Sequence, residues 1–275
     1  MSFMQALRDR WRDANSLVCV GLDPEPARFP ARFANDPDAI FAFCRSIVDA
    51  TAQYACCFKP QIAYFAARRA ENALERLIAH IHSAHPGLPV ILDAKRGDMG
   101  TTAQQYAIEA FHRYGADAVT LNPYQGIDAA QPFLDHSGHG CVFLCHTSNP
   151  GARDFQELDV HPENGGGEPL YQHVARTIAE KWNAHGNCLL VVGATFPEEL
   201  SEVRAIVGDM PLLIPGVGAQ GGDVEAVIRH GKTADGTGLI VSSSRAILYA
   251  SNGDDFAEAA GNAANTLRDE INRYR

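Results

Sequence analysis

Along this chain, short runs of unbroken apolar residues alternate with longer stretches whose apolar positions recur at helical spacing. The runs are 17–22 (LVCVGL), 55–59 (ACCFK), 89–94 (PVILDA), 117–121 (DAVTL), 141–145 (CVFLC), 188–193 (CLLVVG), 211–214 (PLLI) and 238–242 (GLIVS). Such near-continuous apolarity is what parallel strands buried on both faces require. The amphipathic stretches between them are 37–54, 61–84, 101–114, 126–135, 168–185, 197–207 and 222–230, with a last one at 256–274. Eight strand–helix units in one α/β chain predict a (β/α)8 TIM barrel. The competing doubly wound sheet usually shows a glycine fingerprint after its first strand, and GLDPEP is no such fingerprint.

The polar residues fall where a barrel builds its active site, at the C-terminal ends of strands. Asp23 follows the first run and Lys59 ends the second. Asp93 and Lys95 end the third, with Asp98 just beyond, and Ser148 follows the fifth. Strand alternation predicts that Asp93 and Lys95 share a face. Buried opposite charges at one strand end are costly unless paired, so this cluster is the first sign of chemistry.

The segments after the seventh and eighth runs are PGVGAQGGD at 215–223 and SSSRAI at 242–247. Glycines let backbone N–H groups approach an anion, and helix starts present unpaired donors. Arg245 adds a planar fork suited to phosphate oxygens. Together these segments predict a phosphate site where this fold usually carries one. The stretch 147–169 is long and rich in Gly, Pro, Asn and Asp, and is expected to act as a mobile lid.

Composition narrows the picture. The chain has 275 residues, enough for one barrel domain, and no Pro/Ser/Gly tract marks a second. A formal charge of −10 argues against a nucleic-acid binder, although a local basic pocket remains compatible with it. Seven cysteines without a C-x-x-C pair are expected to be buried, reduced thiols in a cytoplasmic protein. The first 16 residues carry charges throughout and do not resemble a signal peptide. No apolar run approaches the roughly 20 residues that cross a bilayer. His80, His82 and His85 read as a solvated helix terminus, and no metal site is expected.

At this point the residues resemble a known family, orotidine 5′-phosphate decarboxylase, in its longer-chain (type 2) subgroup with a DAKRGDxGxT element. The resemblance runs from VCVGLDPEP at 18–26 to SSSRAI at 242–247. It implies a charged catalytic set of Lys59, Asp93, Lys95 and Asp98. It also implies that Asp23, Thr102, Ser148, Pro215, Gln220 and Arg245 contact substrate. Ser148 is the loosest match, since Thr147 is adjacent, and Ser244 stands where many relatives have glycine. The implied activity is decarboxylation of orotidine 5′-phosphate to UMP and CO2 with no cofactor and no metal. A homodimer is implied as well, with Asp98 and Thr102 reaching the partner's site. Two other readings stay open: a Mg2+-dependent sugar-phosphate decarboxylase or aldolase of the same barrel suprafamily, and a noncatalytic phosphometabolite-binding barrel.

Overall fold

A computed structural model describes residues 1–161, 166–195, 197–217 and 223–275. All eight predicted runs form parallel strands: β1 (Val18–Leu22), β2 (Cys57–Pro60), β3 (Ile91–Arg96), β4 (Ala118–Leu121), β5 (Gly140–His146), β8 (Cys188–Val192), β9 (Leu212–Pro215) and β10 (Leu239–Ser243). A two-residue ribbon, β6 (Asp159–Val160) with β7 (Glu168–Pro169), interrupts the count after β5. The hydrogen-bonded order is β2-β1-β10-β9-β8-β5-β4-β3. The barrel closes between its outer members, β2 and β3, through only two isolated bridges, Phe58 to Val90 and Gln61 to Asp93.

Every residue of β1, β2, β4, β8 and β10 is buried; β1 and β8 are apolar throughout, while Lys59, Thr120, Ser242 and Ser243 are the buried polar residues of the other three. Helices α2 (Ala39–Thr51) and α4 (Glu71–Ala84) and the C-terminal helix (Phe256–Tyr274) pack their apolar faces around this sheet. The predicted helix 61–84 is two helices, α3 (Ile62–Ala66) and α4, because Arg69 takes a left-handed φ of 54°. The predicted helix 168–185 begins instead as strand β7. It becomes α-helix over Leu170–Thr177 and continues as a π-helical turn to Trp182. No helix among the described residues is long and apolar enough to cross a membrane.

The charged N-terminal segment folds as a helix, α1 (Phe3–Asp13), with Ser2 capping it by accepting from Gln5 N–H. Phe3, Leu7 and Trp11 recur at helical spacing and are buried. The helix lies across the N-terminal end of the barrel. Phe3 N–H donates to Gly138 O at 2.9 Å, beside the start of β5. Across that end, the Arg10 guanidinium donates to Ala52 O and Ala55 O at 2.7 Å, ahead of β2. Gly140 is required there: a Cβ on it would sit 2.6 Å from the Phe3 ring. With its floor closed by α1, the barrel is open to ligand at the C-terminal strand ends.

Candidate active site

The third strand carries the centre of the site, but not by simple alternation. Leu92 pairs with Val119 and Arg96 with Leu121, so β3 spends four residues where β4 spends two. The extra residues form a bulge in which Lys95 takes φ 46°, a left-handed conformation that is rare outside glycine. The bulge turns the Lys95 ammonium back onto Asp93 Oδ1, at 2.5 Å.

Thr120 holds this bulge. Its Oγ1 accepts from both Ala94 N–H and Lys95 N–H at 2.9 Å, and donates to Asp93 Oδ1 at 2.9 Å. One hydroxyl thus fixes the backbone of Lys95 and the carboxylate that aims it. Within the run DAVTL, Thr120 reads as an ordinary strand residue, and only the structure brings its hydroxyl to Asp93. At the far end of the bulge, Arg96 pairs with Glu109 at 2.7 Å.

On the other side, Lys59 Nζ donates to Asp93 Oδ2 at 2.9 Å, with both side chains buried. Burial alone would lower the Lys59 ammonium, but Asp93 and Asp23 outweigh it and raise it. Burial alone would likewise raise the Asp93 carboxyl. Lys59 and Lys95 instead hold it well below the usual carboxylate range. Asp93 therefore stays ionised, with three donors on its two oxygens.

Asp23 is placed differently. It follows β1 directly, and burial raises its carboxyl despite Lys59 and the Ser244 hydroxyl. Its Oδ1 is buried without a hydrogen-bond partner among the described residues. An orphaned buried acceptor is costly, and it is suited to a ligand hydroxyl. The Tyr249 hydroxyl fixes the backbone here, donating to Asp23 O at 3.0 Å and accepting from Glu25 N–H at 2.7 Å. Tyr249 is a second positioning residue that the sequence did not reveal.

A cavity of about 170 Å3 joins these parts. Asp23 and Lys59 line one side, and Pro215, Ser243, Ser244 and Arg245 the other. A larger hollow of about 650 Å3 lies outside the barrel near Phe33, Phe41 and Arg69. The smaller one holds the orphaned carboxylate and two cations, and is the better ligand site. Ser244 packs against Gly21, where a Cβ would fall 1.9 Å from its Oγ.

The remaining predicted residues lie around the rim. Ser148 sits against the end of β8, where Gly193 has no room for a Cβ: it would be 2.8 Å from Ser148 N. Gln156 braces the residue before it. Its Oε1 accepts from Thr147 N–H at 2.7 Å, and its Nε2 donates to Thr147 Oγ1 at 2.9 Å. Asp98 does not join the lysine network within the chain; its Oδ1 accepts from Met99 N–H at 2.8 Å. Thr102 is exposed on α5 (Gly100–Ile108). Gln220 lies outside the described residues, as do residues 162–165 of the expected lid. All seven cysteines are buried and free, and burial pushes the Cys145 and Cys188 thiols up to about 12.

The three histidines are not left to solvent. His82 meets Asp117 at 2.9 Å, while His80 and His85 both meet Asp49. Asp117 immediately precedes β4, so this group belongs to the N-terminal face, away from the charged network.

Fixed charge at the strand ends, beside a cavity edged by arginine, defines a barrel enzyme for a phosphorylated metabolite. Comparison with known proteins narrows that class. The family model described as "Orotidine 5'-phosphate decarboxylase / HUMPS family" matches residues 16–260, and the chain belongs to this family. It is 62% identical over 275 residues to a protein of Aromatoleum aromaticum named orotidine 5'-phosphate decarboxylase, covering 100% of both chains. Among solved structures, it resembles the OMP decarboxylase of Leishmania donovani at 38% identity and a TM-score of 0.86, covering 100% of this chain and 99% of that one. It also resembles the UMP synthase of the same organism at 38% identity and a TM-score of 0.87, and spans 56% of that longer chain.

Proposed function

We propose that this protein removes CO2 from orotidine 5′-phosphate to give UMP, the last step of UMP biosynthesis, using only its own side chains. The observation that carries the mechanism is the Lys59–Asp93–Lys95 chain, locked by Thr120 next to the arginine-edged cavity. Loss of CO2 leaves negative charge at C6 of the pyrimidine. Lys95 is a preorganised cation for that charge and the donor of the proton that replaces CO2. Asp93 holds it in place and faces the departing carboxylate, while Lys59 keeps Asp93 ionised. Asp23 offers its free oxygen to the ribose hydroxyls, and Ser148 contacts the base. Pro215, Gln220 and Arg245 bind the phosphate end.

One preorganised donor is worth roughly 3–4 kcal/mol. A carbanion with no electron sink needs far more. The rest is supplied by binding the phosphate and ribose, which orients the ring against Lys95.

Asp98 and Thr102 act across a homodimer interface in this reading. Their loop lies against the turn that carries Tyr124, since a Cβ on Gly97 would fall 3.3 Å from Asn122. Met99 and Tyr124 expose large apolar surface there, 55% and 85% respectively. A mixture of Lys95→Ala and Asp98→Ala chains should regain activity through hybrid dimers; none after verified subunit exchange would refute shared sites. Seven buried free thiols support a cytoplasmic location.

A Mg2+-dependent sugar-phosphate enzyme would need the strand-end carboxylate as a ligand. Here both Asp93 oxygens are occupied by ammonium groups. The deciding assay follows loss of orotidylate absorbance with EDTA-treated protein. Turnover should persist in the wild type and vanish in Lys95→Ala, with UMP binding retained. Dependence on added Mg2+ would favour the sugar-phosphate reading. Binding without turnover in the wild type would favour the noncatalytic barrel.

A further inference from the structure

A second cluster of metal-ligating side chains lies on the outside of the barrel. Asp49 sits near the end of α2, His80 in the last turns of α4, and His85 at the residue that caps α4. On a continuous helix, residues five apart point about 140° from each other, so this spacing alone brings no pair together. The helix stops before it can separate them. His85 takes φ −130° and ψ 64°, and its ring swings back to stand edge-on to His80, with centroids 6.0 Å apart.

Both imidazoles then address one atom. His80 Nε2 lies 2.7 Å and His85 Nε2 2.9 Å from Asp49 Oδ1. The three candidate ligand atoms all fall within 4.8 Å of one another. In a tetrahedral zinc site with bonds near 2.05 Å, ligand atoms stand about 3.3 Å apart. The two histidine–aspartate separations need to open by about half an ångström, which side-chain rotation supplies. The histidine side chains are 22% and 24% exposed and that of Asp49 47%, so an ion can reach them from solvent.

We propose that Asp49, His80 and His85 form a binding site for a divalent transition cation of the Zn2+ class, with water in the fourth position. Two imidazoles and one carboxylate suit Zn2+ better than Mg2+ or Ca2+, which prefer all-oxygen shells. A bound ion would take the Nε2 lone pair of each ring, with the ring N–H on Nδ1, and one carboxylate oxygen of Asp49. The site joins α2 to α4 near the N-terminal face, so it is a clamp between two outer helices and leaves turnover unchanged. It stands independently of the decarboxylase reading.

The experiment titrates the intact, EDTA-washed protein with Zn2+, and in parallel with Co2+ for its visible spectrum. Saturable binding of one ion per chain is expected, with a tetrahedral Co2+ spectrum. Zn2+ at ten times its Kd should raise Tm by about 3 °C, reversibly with EDTA. His80→Gln and His85→Gln should each weaken binding by at least about tenfold and leave kcat at the wild-type value. Glutamine keeps a hydrogen-bonding end for Asp49, so these variants stay folded; the Co2+ spectrum of the wild type gives a readout independent of them. Four results would overturn the proposal: no binding up to about 1 mM, equal binding in both variants, half an ion per chain, or a six-coordinate Co2+ spectrum.

Discussion

Replacing Thr120 by valine removes one oxygen at nearly constant volume, which makes it a sharp test of how the site is held. Two backbone N–H groups lose their acceptor, and Asp93 loses one of its three donors. The two N–H groups are only part-buried, so each loss is taken at about 1 kcal/mol. The hydrogen bond to the charged carboxylate adds roughly 1.5 kcal/mol. The sum is about 3 to 4 kcal/mol of stability, with almost no cavity contribution. Chemical denaturation should show this as a lower midpoint at unchanged m-value. The same substitution lets Lys95 leave its left-handed conformation, which returns about 1–2 kcal/mol and leaves a net loss of about 2 kcal/mol. Its ammonium then leaves the position set by Asp93, and kcat should fall at least tenfold with KM little changed. Thr120→Ser keeps the hydroxyl, loses about 1 kcal/mol of methyl burial and should keep most of kcat. A Thr120→Val protein within 0.5 kcal/mol of wild type and with normal kcat would refute this reasoning.

Three other expectations concern the same site. Folding depresses the Asp93 carboxyl, so its contribution is fully present above the ordinary carboxylate pKa of about 4 and fades as the pH falls below that value. Between pH 5 and pH 2 the Tm of the wild type should therefore fall more steeply than that of Asp93→Asn; parallel curves would contradict the linkage. Gly21→Ala drives a Cβ into Ser244 and should raise KM severalfold through the neighbouring Arg245, with Gly21→Ala/Ser244→Gly recovering it. If the double variant binds no better than the single one, the contact is not the cause. Arg245→Ala, far from C6, should lower kcat/KM by at least a hundredfold in steady-state assays; a change of only a few fold would show that phosphate binding does not drive the chemistry.

The barrel was legible because its strands are buried on both sides, and runs such as CLLVV at 188–192 admit little else. The charged ends of β2 and β3 were legible for the complementary reason, that Lys59 and Asp93 stand where apolar residues are the rule. Local departures from regular geometry were not legible. No periodicity marks the left-handed turn at Lys95, the break at Arg69 or the cap at His85, each of which decides which side chains meet. Helix α1 was hidden by its charges, although Phe3, Leu7 and Trp11 carried the spacing. Thr120 was hidden by its chemistry, since a threonine in a β-rich run passes for an ordinary strand former.

The closure of the barrel bears on how this enzyme fails. Between β2 and β3 the backbone offers only two isolated bridges, and the Lys59–Asp93 ion pair spans that same seam. Elsewhere around the ring, strands are sewn together by their amides; here a functional pair of side chains does part of the sewing. Any opening of the seam therefore also separates Lys59 from Asp93 and breaks the charged network. Adjusting the Lys59–Asp93 contact to change the chemistry also alters what holds the ring shut.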